Sequence, residues 1–134
     1  MSLQYSVAVK NARLDVIEST IGTTPVMKIR SGSVPATPAT ADSGTVLATL
    51  TLPSDWMAAA SAGAKAMSGT WQDTSADNTG TAAHFRIYES TGTTCHIQGT
   101  VTATGGGGDM TVDNVSFASG QSFSVTSFTI TSGN

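Results

Sequence analysis

His84, Cys95 and His96, with Glu89 between them, come nearest in this 134-residue chain to the types and spacing of a metal site. His84 and His96 lie on two β-rich runs that flank a short glycine-containing turn. Both are about equally far from Thr91 and Gly92, so the reading places them face to face across a hairpin. A zinc site needs three or four convergent ligands, and neighbouring strand residues such as Cys95 and His96 point to opposite faces. With no second cluster to complete the set, they read as ordinary half-buried strand residues, and no metal or cofactor is expected.

Carboxylate pairs are the next place to look for chemistry. Asp73 and Asp77 share a polar loop with Asn78, and Asp109 and Asp113 follow a glycine run. Paired carboxylates can hydrolyse glycosides, and Trp56 and Trp71 could stack on a sugar. Loop aspartates more commonly cap turns, and tryptophans fill a core as poor in aromatics as this one. The spacing around Asp73 does not fit an EF-hand. Gly105, Gly106, Gly107 and Gly108 lack the Gly-Lys-Ser/Thr ending of a phosphate loop and read as a flexible connector. There is no Gly-x-Ser-x-Gly elbow. The expectation is a protein without enzymatic activity and with no catalytic residues.

The elements that would hold these side chains are mostly strands. Residues 3–21 carry the helical pattern: Leu3, Val7, Leu14, Ile17 and Ile21 fall near heptad spacing, with Ala8, Val9, Ala12 and Val16 beside them. Gly22 and Pro25 supply the stop. Residues 26–30 and 45–52 alternate as strands, and the segment between them, 31–44, is a loop because Pro35, Pro38 and two glycines forbid a regular ladder. Ser54 or Asp55 is placed to cap a short helical turn through residue 62, and residues 65–71 suggest a short strand. Residues 72–80 read as a loop. Residues 81–89 and 94–102 make one hairpin, and residues 109–117 and 121–131 a second. A parity change near Thr126 and Ser127 predicts a bulge. This pattern predicts a mainly β protein: a single β-sandwich or jelly-roll-like barrel with one N-terminal α-helix, residues 1–22 forming a docking arm and residues 23–134 the β domain.

Composition narrows the function. Charged residues are 11% of the chain, against roughly 25% in an average soluble protein. Thr and Ser contribute 22 and 17 residues, so most of the polarity is neutral. Such a surface suits a protein covered by partners, itself a homo-oligomer. A net charge of −3 without a Lys/Arg run argues against nucleic acid. The apolar runs are far shorter than the ~20 residues of a membrane helix. The opening shows neither a basic leader nor an apolar core of a signal peptide, which predicts synthesis in the cytoplasm. The residues expected to touch a partner are Leu3, Tyr5, Val7, Leu14 and Ile17 on the helix, and Val34, Pro35 and Pro38 on the loop, since proline-fixed segments lose little entropy on docking.

Three segments, MSLQYSVAVKNARLDVIESTIG at the start, LPSDWMAAASAGAKAMSGTW in the centre and GGGGDMTVDNVSFASGQSFSVTSFTITSGN at the end, resemble small structural proteins of tailed bacteriophage virions. The resemblance implies a virion component, a head decoration or cement protein whose β domain sits on the major capsid protein, bridges capsomers and stiffens the shell. A tail or fibre component on the receptor side is the second reading.

Overall fold

The computed structural model describes residues 3–132. Among these, one helix, α1 (Val7–Ile21), precedes ten strands. The helix starts later than the sequence pattern suggests. Ser6 is extended and its Oγ accepts the Val9 N–H at 3.2 Å, which caps the helix and leaves Leu3 and Tyr5 ahead of it. Gly22, at φ +93°, ends it by donating to the Glu18 carbonyl at 2.9 Å.

The strands are β1 (Val26–Arg30), β2 (Val46–Thr51), β3 (Ala64–Ala66), β4 (Gln72–Asp73), β5 (Gly80–Thr81), β6 (His84–Tyr88), β7 (Cys95–Ala103), β8 (Met110–Val112), β9 (Ser116–Phe117) and β10 (Phe123–Thr131). Eight of them form one sheet in the order β2-β1-β6-β7-β8-β10-β3, with β4 also on β10; β5 and β9 pair separately. The sheet curls until its ends meet. The loop after β4 lies along the outer edge of β2: the Asp77 N–H donates to the Leu47 carbonyl at 2.8 Å and Asn78 Nδ2 to the Val46 carbonyl at 2.8 Å. The result is mainly β and sandwich-like, with one helix, in line with the predicted class.

The interior holds Trp56 and Trp71, with ring centroids 6.1 Å apart, and Phe128, which stacks on Trp71 and meets Phe85 edge-on at 5.4 Å. Both tryptophans are fully buried, and their indole N–H groups are satisfied by the carbonyls of Gly22 and Ser68. Sugar stacking is therefore closed to them.

Several local expectations change. Residues 55–62 are not helical; they form bends and bridges beneath α1. The strand expected at 65–71 is only Ala64–Ala66, and the loop expected at 72–80 contains β4 and the start of β5. In the second hairpin β8 does pair with β10, with the bulge at Thr126, but β9 turns away to β5. Of the four glycines, Gly106 and Gly108 pack against β7, while Gly105 and Gly107 stand open at positive φ. β7 and β8 are parallel neighbours joined by only residues 104–109, far less than the dozen residues such a crossover usually takes. Gly106 and Gly108 lie so close to Thr102 that a Cβ on either would sit within 3 Å of its side chain.

Candidate functional site

Two surfaces gather the residues singled out from the sequence: the outer side of α1, and the face of the sheet beneath residues 31–44.

At 100° per residue, α1 mixes apolar and polar residues on every side rather than presenting one apolar face. Its inner side is anchored on the domain. Leu14 is 2% exposed and Ile21 is buried with it. Lys65, buried below the helix, donates to Asp15 at 2.8 Å and pairs with Glu18 at 2.8 Å. Burial opposes charge on Lys65, but the two carboxylates outweigh it and raise its pKa. The Asn11 carboxamide takes the Gly63 N–H at 3.0 Å. The outer side carries Ala8, Val9, Ala12 and Val16, all exposed, and Val16 is 59% exposed. Leu3, Tyr5 and Val7 are exposed too, Tyr5 against the Arg13 guanidinium 4.9 Å from its ring. Ile17 is half-buried against the core. Of the predicted helix contacts, Leu3, Tyr5 and Val7 are free to meet a partner. Leu14 is not, because it fills the seam between helix and domain.

The loop at 31–44 is not a free arm. It is a strap laid over its own sheet. The strap closes at its base, where the Ser31 N–H donates to the Thr45 carbonyl at 3.1 Å and Ser31 Oγ accepts the Thr45 N–H at 3.0 Å. Gly44 stands there at φ +73°, and a Cβ on it would fall 1.9 Å from the Ser31 carbonyl oxygen. Beneath the strap every residue of β6 is buried. Phe85 and Ile87 enter the core, while His84, Arg86 and Tyr88 face the strap. Arg86 donates to the carbonyls of Pro38 at 2.8 Å, Thr40 at 3.0 Å and Thr37 at 3.3 Å, and pairs with Asp42. Asp42 also meets Arg30 at 3.0 Å and accepts the Tyr88 hydroxyl at 2.7 Å. Gln98 Nε2 donates to the Pro35 carbonyl at 2.7 Å, and His84 Nδ1 bonds the Gly32 carbonyl at 2.8 Å. Pro35 is buried, Pro38 is exposed and Val34 is at the margin with 36% exposure. A buried guanidinium has to find acceptors, and the proline-fixed carbonyls of the strap supply them. Pro35 is buried beside them with its carbonyl on Gln98.

These partners set the charge states. Burial raises the Asp42 pKa, but the Tyr88 and Arg86 hydrogen bonds and the two arginine charges win, leaving it below the ordinary 3.8. His84 is pushed below its ordinary 6.5, first by burial and then by Arg30 and Arg86, so it is neutral at pH 7. Burial raises the Cys95 thiol.

The facing histidine pair does not form. His84 aligns with Thr100, and a bulge after Ile87 pairs Tyr88 with Cys95, which leaves His96 as the extra residue. His96 instead lies 3.7 Å from Glu89, whose carboxylate accepts hydrogen bonds from Thr91, Thr93 and Thr94 and locks the hairpin turn. Among the described residues no three His, Cys, Asp or Glu side chains are placed to hold a metal ion. The aspartates fasten strands: Asp77 accepts the Thr49 hydroxyl at 2.8 Å, Asp73 the Ser75 N–H at 2.9 Å, Asp109 the Thr100 N–H at 2.9 Å and Asp113 the Ser124 N–H at 3.2 Å. Sequence reasoning missed Arg86 and Asp42, whose only signal was an arginine amid an apolar strand.

No family model, curated protein or solved structure matches the chain. No described helix is long and apolar enough to cross a membrane.

Proposed function

We propose that this chain is a non-enzymatic structural protein of a bacteriophage particle, a decoration protein that binds the assembled capsid shell and stabilises it. The observation that carries the docking half of this reading is the outer side of α1. Only one side of this helix is covered by its own domain, and the uncovered side still carries exposed apolar residues. Ala8, Val9, Ala12 and Val16 form an uncharged stripe about two and a half turns long, rimmed by Leu3, Tyr5 and Val7. The phage half rests on the resemblance of the opening, central and closing segments.

Stabilisation follows from linkage: a protein that binds the assembled shell and not its free subunits adds its binding free energy to the assembled state. Low surface charge suits this role, since little has to be desolvated on docking. The test uses shells prepared with and without the protein, challenged by heat and osmotic shock. Complete shells survive longer, and Val9→Asp with Val16→Asp abolishes attachment while leaving the melting temperature of the free protein unchanged. Equal survival of bare and decorated shells would sink the proposal.

A further inference from the structure

β8 is three residues long, whereas the strands on either side of it, β7 and β10, are nine each. β8 fills the space between them only from Val101 to Ala103 on one side and from Val125 to Phe128 on the other. Before Met110 the chain leaves the sheet through the glycine reversal, and β7 and β10 run on without a strand between them. The space left is a groove of about 800 Å³, lined by Val16, Ile17 and Ile21 of the helix and by Phe85, Ile97 and Ile130 of the sheet.

The walls of this groove are open strand edges. The Val101 N–H donates to the Ala83 carbonyl at 3.0 Å, toward β6. Antiparallel alternation therefore turns the backbone groups of Thr100 and Gln98 the other way. Asp109 meets the Thr100 N–H; Gln98 faces the gap. On the opposite wall the Phe128 carbonyl accepts the Met67 N–H at 2.9 Å and the Ser132 N–H reaches the Gly63 carbonyl at 3.0 Å, both on the β3 side. The backbone groups of Thr129 and Thr131 thus also face the gap. Two strand edges whose backbone groups turn toward the same gap, over the side chains of Ile17, Ile97 and Ile130, make a site for one inserted strand.

We infer that this gap takes an extended segment from a second copy of the chain, residues 3–6, so that neighbouring copies are joined by strand insertion. Leu3 and Tyr5 alternate with Gln4 and Ser6. An inserted strand of this pattern puts both large side chains on Ile17, Ile97 and Ile130 and leaves the polar ones outside. The segment lies outside its own helix, Leu3 is 71% exposed, and it carries no charge into a groove with an apolar floor. The inference deepens the proposed assembly role by naming how copies join.

Complementary defects test it. Leu3→Asp with Tyr5→Asp disables the inserted segment; Thr131→Pro removes a gap-facing N–H without touching the β3 ladder. Both variants are first checked for native circular dichroism and melting. The wild-type chain self-associates in sedimentation, each variant alone is a monomer, and an equimolar mixture gives a dimer in which hydrogen exchange of the Gln98 amide slows by about tenfold or more. A synthetic peptide of residues 1–8 gives the same protection in the Leu3/Tyr5 variant, whose groove is intact. A monomeric wild-type chain with fast exchange at Gln98 and Thr131 overturns the inference, as does a mixture that stays monomeric. Protection that appears only on capsid shells overturns it too, by assigning the gap to a capsid segment. Loss of shell attachment in a Val9→Asp/Ala12→Asp variant, whose changes lie outside the groove lining, with copy-to-copy joining intact separates the docking proposal from this one.

Discussion

The Arg86 guanidinium donates to the Pro38 carbonyl at 2.8 Å from beneath the strap, and the two residues stand 48 positions apart in one molecule. A segment whose prolines suit it to lie along a partner lies along its own sheet instead. Replacing Arg86 by Ala leaves three carbonyls and the Asp42 carboxylate without their common donor. Asp42 is 42% exposed and keeps Arg30 and Tyr88, so the loss falls on the strap carbonyls. Leaving a buried acceptor unpaired costs about 1–3 kcal/mol, and Arg86→Ala is expected to lower the melting temperature and expose residues 33–42 to limited proteolysis. Arg86→Lys should rescue poorly, because an ammonium cannot reproduce the planar fork. A strap resistant to protease in Arg86→Ala would refute this account.

Acid should loosen the same clasp. The folded state lowers the pKa of both His84 and Asp42, so the unfolded chain binds these protons more readily and stability declines as the pH is lowered. The contribution of His84 is complete above its ordinary 6.5 and is lost as pH falls from there toward its lower folded value. Asp42 acts below 3.8 in the same direction. Lys65, with a raised pKa, keeps its contribution throughout this range and loses it only in strong alkali. Melting temperature measured from pH 7.5 to pH 3 should decline in two stages, and His84→Asn should remove the upper one.

Trp71 touches both Trp56 and Phe128, linking the two halves of the core. Trp71→Ala should cost about 3–5 kcal/mol, read by denaturant unfolding, whereas Trp71→Phe keeps most of the packing and should cost clearly less. Equal losses would mean that the indole N–H bond to Ser68, rather than ring volume, holds the site.

Gly106→Ala forces a Cβ to within 2.7 Å of Thr102 Cβ. Overpacking of this kind costs about 1–3 kcal/mol, and unfolding midpoints should show it. Added to a Thr102→Gly background, which removes that Cβ, the same change should cost less. If the background made no difference, the glycine run would owe its place to something other than this contact.

The class of fold was legible because alternation and turn residues act locally. Residues 26–30 read as a strand from their pattern and are one. The parity change at Thr126 is a bulge because side-chain direction along a strand has no other way to slip. What failed was long-range. The register of β6 on β7 depends on a bulge at His96 that no local pattern marks, so the facing histidines were misplaced. Asp113 and Asn114 break the run 109–117 in two, with Asn114 Oδ1 accepting the Ser116 N–H at 2.9 Å, and β8 is left too short to fill its sheet. Of the docking residues, exposure sorted Leu3, which lies ahead of the capped helix, from Leu14, which lies on its buried side.

The closure of the curled sheet at Asn78 bears on how the protein survives at high concentration. With 11% charged residues, like-charge repulsion between molecules is weak, and an uncovered β2 edge would invite strand-to-strand aggregation. Asn78 and Asp77 occupy that edge by taking its carbonyls. Cloudiness on concentration, rather than a lowered melting point, is the phenotype that an Asn78→Ala chain should show first.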